Sequence, residues 1–320
     1  MAVSIWRDYI VSIGTSSSYY VRVRLDDASG EIVYTGRCFK RPGATNATVK
    51  LNDIVADHLY NSLKTSSGFL ADCCARTFTL QYSSNGSSWT TKANYVFIRC
   101  WDYVTQSITS DFCLPVTKRM PSWALLPVTT VDSSGTISVG LYSKPGGTGT
   151  LLTTRTATKT APGTGWINVS YTGAKSAKFG TTTVDLDSCA DWVLYFVNLK
   201  GGWSVLPADG GLLAGDTFTR KTFMPDYYNL LSPPEHGKVV LATEVAERYA
   251  LRTAPLTTAE AANMKHVMRT PFAYLASSSG TVIPVIVTDA SADYVSRRNG
   301  ASGLPVYTVN LEVAEYRMSK

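Results

Sequence analysis

The chain's 320 residues suffice for two or three domains of ordinary size, and 44% hydrophobic against only 17% charged residues leaves a surface poor in charge, of the kind a partner covers. The net charge is +6, yet lysines and arginines stand singly or in pairs, which excludes the clustered footprint of a specific nucleic-acid binder and leaves only weak attraction to acidic partners. No stretch reaches the roughly 18 uncharged apolar residues of a membrane span, and Met1 to Asp8 lacks the basic-then-apolar order of a secretory leader, so a soluble, unsecreted chain is expected.

In Tyr19 to Leu25, Tyr19, Val21, Val23 and Leu25 share one face and Tyr20, Arg22 and Arg24 the other, the alternation of a half-buried strand. A turn through Asp27 to Gly30 leads to a second strand, Glu31 to Phe39, so the two form a hairpin. Asn52 stands as the N-cap of a helix in which Ile54, Val55, His58, Leu59 and Leu63 recur at helical spacing. Strands at Arg76 to Tyr82 and Tyr95 to Tyr103 follow, joined by the polar turn Ser83 to Ser88. Residues 1–116 read as a β-sandwich with one short helix.

Residues 117–215 read as a second all-β domain. Its strand candidates are Thr136 to Tyr142, Thr150 to Ala157, Gly165 to Tyr171 and Trp192 to Leu199, separated by turns at Lys144 to Gly147 and Pro162 to Gly165. The middle strands are only weakly hydrophobic, which implies a thin core in need of neighbours.

In residues 216–320, Lys238 to Thr253 reads as a long strand or strand pair. Thr257-x-x-Glu260 is a capping box ahead of Ala261, Met264, Val267 and Met268, a helix ended by Pro271. Thr281 to Thr288 and Val306 to Tyr316 are strands, the latter alternating Tyr307, Val309, Leu311 and Val313 with polar residues. The expected class is therefore mainly β: two sandwich domains followed by a β-rich, barrel-like α+β domain with one helix.

Chemistry is sparse. Of the three histidines, His58 and His266 fall on predicted helices where packing or exposure explains them, and His236 sits in a Pro-rich loop. No nucleophile elbow, P-loop, dinucleotide fingerprint or zinc-protease motif is present, and the acidic residues Asp185, Asp187 and Asp191 do not form a calcium loop. No catalytic residue, metal site or cofactor is expected. The six cysteines, Cys38, Cys73, Cys74, Cys100, Cys113 and Cys189, lack a C-x-x-C pair and are expected to be free, at least four of them buried.

The candidates for contact with a partner are aromatic. Trp89 follows Asn85-Gly86-Ser87-Ser88 at a loop tip, where its ring can dock on a sugar or a protein or else fold back on its own sheet. Gly201 and Gly202 permit a tight or left-handed turn before Trp203, which serves equally as an interface anchor or as core.

The segment Asp191 to Trp203 (DWVLYFVNLKGGW), followed by Asp216 to Thr222, resembles virion structural proteins of tailed phages, particularly those of gut Bacteroidetes. Further pieces of the resemblance are Tyr249 to Thr253 leading to Thr257 to Glu260 and Met264, Ile283 to Val287, Val33 to Arg37 with Arg41 to Gly43, and Leu51 to Val55. It implies a ring-forming component of the tail, the tail tip or a stacked ring below the portal, assembled in the host cytoplasm against copies of itself and other tail proteins, with no catalytic residues and with a tail-tube-like barrel in the last region. The alternative is a glycan-binding, host-recognition β-sandwich, which an aromatic platform flanked by Asp, Asn or Arg would favour.

Overall fold

The computed structural model describes residues 2–5, 8–26, 29–71, 74–100, 107–223, 239–294 and 304–314. Trp6, Cys73, Trp101 and His236 lie outside this set, as do the expected strand ends Tyr103, Lys238 and Tyr316. The protein is mainly β, with one regular helix. Among the described residues no helix is long and apolar enough to cross a membrane.

The first sheet combines β1 (Ala2–Ser4), β3 (Ser18–Leu25), β4 (Ile32–Phe39), β7 (Ala75–Ser83), β8 (Thr90–Ile98) and β9 (Ser107–Ile108) in the order β4-β3-β7-β8-β1-β9. Alternation settles its inner face: Val21, Val23, Leu25, Phe78, Leu80 and Phe97 are buried. They pack under a two-stranded ribbon, β2 (Ile10–Gly14) with β5 (Ala47–Lys50), and under Leu51, Val55 and Leu59. The expected β3–β4 hairpin is present, with Tyr20 opposite Arg37. In the β7–β8 turn the Ser83 hydroxyl accepts the Asn85 and Gly86 amides, and the Asn85 side chain accepts those of Ser87 and Ser88.

The helix expected from Asn52 to Leu63 is much shorter. A four-residue α1 (Asn52–Val55) passes into a single 3-10 turn, and the chain is extended at Leu59. Asn52 is not the cap: it is buried, accepts the Tyr9 amide (3.1 Å) and donates to the Ile5 carbonyl (3.4 Å), so its side chain holds the preceding segment. The His58 and Leu59 carbonyls, which a continuing helix would use, accept instead from Arg76 (3.4 Å) and Arg99 (2.7 Å).

Two sheets form the middle sandwich. One is β10 (Leu125–Thr130), β13 (Gly163–Asn168) and β6 (Gly68–Leu70); the other is β12 (Thr148–Thr158), β11 (Thr136–Lys144), β14 (Ser176–Phe179) and β15 (Thr182–Asp185). β6 comes from the first region, ninety-odd residues before its partner β13, so the middle core is closed by a segment from outside residues 117–215.

The last sheet has seven strands: β17 (Trp203–Pro207), β16 (Trp192–Val197), β20 (Ala273–Ser277), β21 (Val282–Tyr294), β22 (Pro305–Val313), β19 (Val239–Arg252) and β18 (Gly211–Phe223), in that order. It curls as a half-barrel around α2 (Thr258–Met268), whose Met264 and Val267 pack with Leu194, Phe196, Leu251, Leu275, Val309 and Leu311. The opposite face of β16, β17 and β20 packs on the middle sandwich through Val193, Tyr195, Val197, Trp203 and Ala276. β16 is thus apolar on both faces, which is why Trp192 to Val197 shows no alternation.

The capping box is present at α2: Thr257 accepts the Glu260 amide and Glu260 accepts the Thr257 amide (2.9 Å). The other Glu260 oxygen accepts the Lys118 amide (2.8 Å), tying the helix start to the entry of the middle region.

Candidate functional site

The residues singled out in the sequence separate in space. Trp203 is buried, 1% exposed, between Trp166 (ring centroids 5.6 Å apart) and Tyr274 (5.9 Å). Gly201 adopts φ +88°, and a Cβ there would collide with the Arg99 carbonyl; one at Gly202 would collide with the Thr129 hydroxyl. Asn61 donates to the Gly201 carbonyl (3.1 Å), and Asn198 accepts the Lys200 amide (2.9 Å), closing the β16–β17 turn. This corrects the interface reading for Gly201, Gly202 and Trp203: all three are interior, at a seam between the first region, the middle sandwich and the last sheet. The volume of the indole and the missing glycine side chains are used to bring these parts together.

Trp89 does not project from its loop. It is half-buried, with the Arg22 guanidinium 4.3 Å over its ring. The same stacking recurs on the neighbouring strand, where Arg37 lies 4.3 Å over Tyr20 and donates to its hydroxyl. Arg22 also donates through Nε to Gln81 (2.9 Å), which donates to Thr91 (3.2 Å). The outward face of β4-β3-β7-β8 is therefore a platform of stacked arginines and amide or hydroxyl side chains. Tyr20, Arg22 and Arg24 are recognisable in sequence as one face of β3; the opposing Arg37, Gln81 and Trp89 become their neighbours only through strand register.

A cleft of about 600 Å³ lies beside the middle and last sheets, lined by Arg119, Asp187, Ser188, Cys189, Trp192 and Asp209 among others. Three of its charged side chains are engaged. Arg119 donates twice to Asp187 (3.2 and 2.9 Å), which together with burial's opposing effect leaves the guanidinium pKa raised, and Ser188 is hydrogen-bonded to Asp209. Asp185 accepts the Gly146 amide (2.6 Å) as a loop anchor. Among the described residues no group of three or more His, Cys, Asp or Glu side chains is placed to hold a metal ion. His266 is buried on α2 and accepts the Leu199 amide at Nδ1 (3.3 Å), so this nitrogen is unprotonated and the residue joins helix to strand exit.

Cys38, Cys74, Cys100 and Cys113 are free and buried, while Cys189 is free and exposed at the cleft. Burial pushes the Cys113 thiol up to about 12, which disfavours its thiolate form.

The feature that sequence reasoning passed over is the pairing of β18 with β19. They pair from Gly211 opposite Arg252 out to Phe223 opposite Val239, with a shift in register between Lys221 and Thr222, but β22 accompanies β19 only from Arg248 to Arg252. Among the described residues, the pair continues from Asp216 and Glu247 outward as a two-stranded arm, roughly 25 Å long at the usual strand rise. Phe218 (61% exposed) stands open on it, and Leu213 (74%) stands open just before it. The Thr and Phe residues of Thr217 to Thr219 and Thr222-Phe223 were the available strand signal. No protein-family model, curated protein or solved structure matches the chain.

Proposed function

We propose that the protein is a non-enzymatic structural subunit of a phage particle, which builds a ring in the tail, at the tail tip or below the portal through contacts between copies of itself and with other tail proteins. The observation that carries this reading is the β18–β19 arm. A two-stranded ribbon is marginally stable alone in water, and among the described residues no third strand accompanies this one beyond Glu247, where Phe218 stands exposed. Unpaired edges recruit further strands. A second copy that adds its own sheet to the arm makes a head-to-tail contact, and repetition of such a contact around an axis closes a ring. The phage assignment rests on the resemblance of Asp191 to Trp203, Asp216 to Thr222 and the accompanying segments.

The test is the native mass of the purified protein over a range of concentrations, for the wild type and for Phe218→Asp. The expected result is a closed ring of fixed copy number that Phe218→Asp reduces to folded monomer, because a charge on an exposed position spares the fold but not a contact. A wild type that stays monomeric at high concentration, or a ring indifferent to the substitution, overturns the arm's role.

A further inference from the structure

We propose that the outer face of the first sheet binds an anionic polysaccharide, independently of ring assembly. Strand alternation turns Tyr20, Arg22 and Arg24 outward, and register sets Arg37 opposite Tyr20, Gln81 opposite Arg22, and Thr79 opposite Arg24. The face is thus four strands wide, about 14 Å.

Positive charge predominates on it, with Arg22, Arg24 and Arg37 against Asp26 among the described residues. Some basic side chains elsewhere meet carboxylates, as Lys50 does with Asp8 and Asp53, Lys159 with Asp111 and Asp132, and Arg248 with Glu312. Among the described residues neither Arg22 nor Arg37 has a carboxylate within ion-pair distance. Both guanidiniums sit over aromatic rings, which restrains them; Gln81 takes the Arg22 Nε–H and the Tyr20 hydroxyl takes one Arg37 amino group, so the other N–H groups are the ones a carboxylate or phosphate would meet. Asp26 also follows Arg24 outward, but it is held by Asn94 (3.1 Å) at the far end of the face.

The neighbours of the arginines specify a saccharide. Thr79 and Asn94 are hydrogen-bonded across β7 and β8 (3.0 Å), as are Gln81 and Thr91, so the platform between and beside the charges is a row of exposed hydroxyl and amide groups that match sugar hydroxyls. Phe39, 62% exposed and on the same face of β4 as Arg37, offers an uncovered ring for the apolar side of a pyranose. Nucleic acid fits poorly: its affinity comes from neutralising many closely spaced phosphates, and two stacked guanidiniums without a lysine or arginine run supply few such contacts. A polymer charged at intervals, with neutral hydroxyl-bearing stretches between, matches the spacing of charge on this face.

The experiment is native affinity electrophoresis of the full chain through gels containing polygalacturonate, inorganic polyphosphate, neutral dextran or single-stranded DNA. Wild type is compared with the double variant Arg22→Gln/Arg37→Gln, with Phe39→Ala, and with Arg248→Gln as a control that removes a positive charge away from the face. The expected result is retardation by polygalacturonate but not by dextran or DNA, weakened about tenfold or more by the double variant and less by Phe39→Ala, with Arg248→Gln like wild type. Retardation by polyphosphate but not polygalacturonate, or equally by DNA, would show an anion surface without saccharide preference and overturn the proposal. So would retention unchanged in the double variant, or no retention at all. Native mass of the double variant is measured alongside: loss of the ring there assigns the face to a subunit contact and also counts against the proposal, while an intact ring separates this outcome from the fate of the assembly reading.

Discussion

The indole of Trp203 on β17 packs against that of Trp166 on β13, ring centroids 5.6 Å apart and planes tilted by 53°. One residue belongs to the half-barrel and the other to the middle sandwich, so this pair is the centre of the contact between them. Replacing Trp203 with Ala removes a large, fully enclosed side chain and leaves a cavity, at a cost of about 3–5 kcal/mol. Thermal unfolding should move down by several degrees with the oligomeric state retained; an unchanged melting temperature would contradict the burial.

Leu311 is fully buried on β22, facing Met264 and Val267 of α2 within the half-barrel. Leu311→Asp places a carboxylate there without a partner, costing roughly 4 kcal/mol or more. The last sheet should fail to fold or the protein should melt far lower by circular dichroism. Unaltered melting and assembly would mean that the strand's inner face is not where β22 places it.

Glu260 offers a pH test. Burial alone would raise its pKa, but the hydrogen bonds from the Lys118 amide and from Thr257 prevail and hold it below the usual 4.5. A carboxyl with a depressed folded-state pKa contributes stability that is present above the unfolded value and lost as pH falls through the folded one. Glu260→Gln should therefore lower stability at neutral pH and flatten the decline below about pH 4.5. Parallel acid unfolding curves for wild type and variant would refute this contribution.

The thiols should divide by location. With a thiol reagent under native conditions, Cys189 should react promptly, and Cys113, whose thiol stays protonated to about pH 12, should react only on unfolding. Mass spectrometry of labelled peptides reads both, and early labelling of Cys113 would contradict its enclosure.

Local signals in the sequence were reliable where one short segment contained the whole cause. The Thr257–Glu260 capping box, the alternation in β3 and β22, and the polar β7–β8 turn all depend on neighbours within a few residues. The α1 segment misled because helical spacing says nothing of distant competitors: Arg76 and Arg99 claim the carbonyls that would extend it. β16 gave no alternation because both of its faces are covered. Trp203 and the two glycines were recognised as special, but whether a large ring ends inside or outside depends on Trp166 and Tyr274, which reach it only through the fold. Likewise Trp89 could be read as a ring open at a loop tip or as one folded back on its own sheet, and the arginine that lies over it comes nearly seventy residues earlier.

Only three residues, Ala208 to Gly210, separate β17 from β18, and across them the chain exchanges β16 for β19 as its partner. The outer arm and the tryptophan-filled interior therefore lie along one nearly continuous stretch of backbone. At this junction the Gly211 amide donates to the Ala208 carbonyl (2.9 Å), so a single tight bend couples the arm to the strand that carries Trp203.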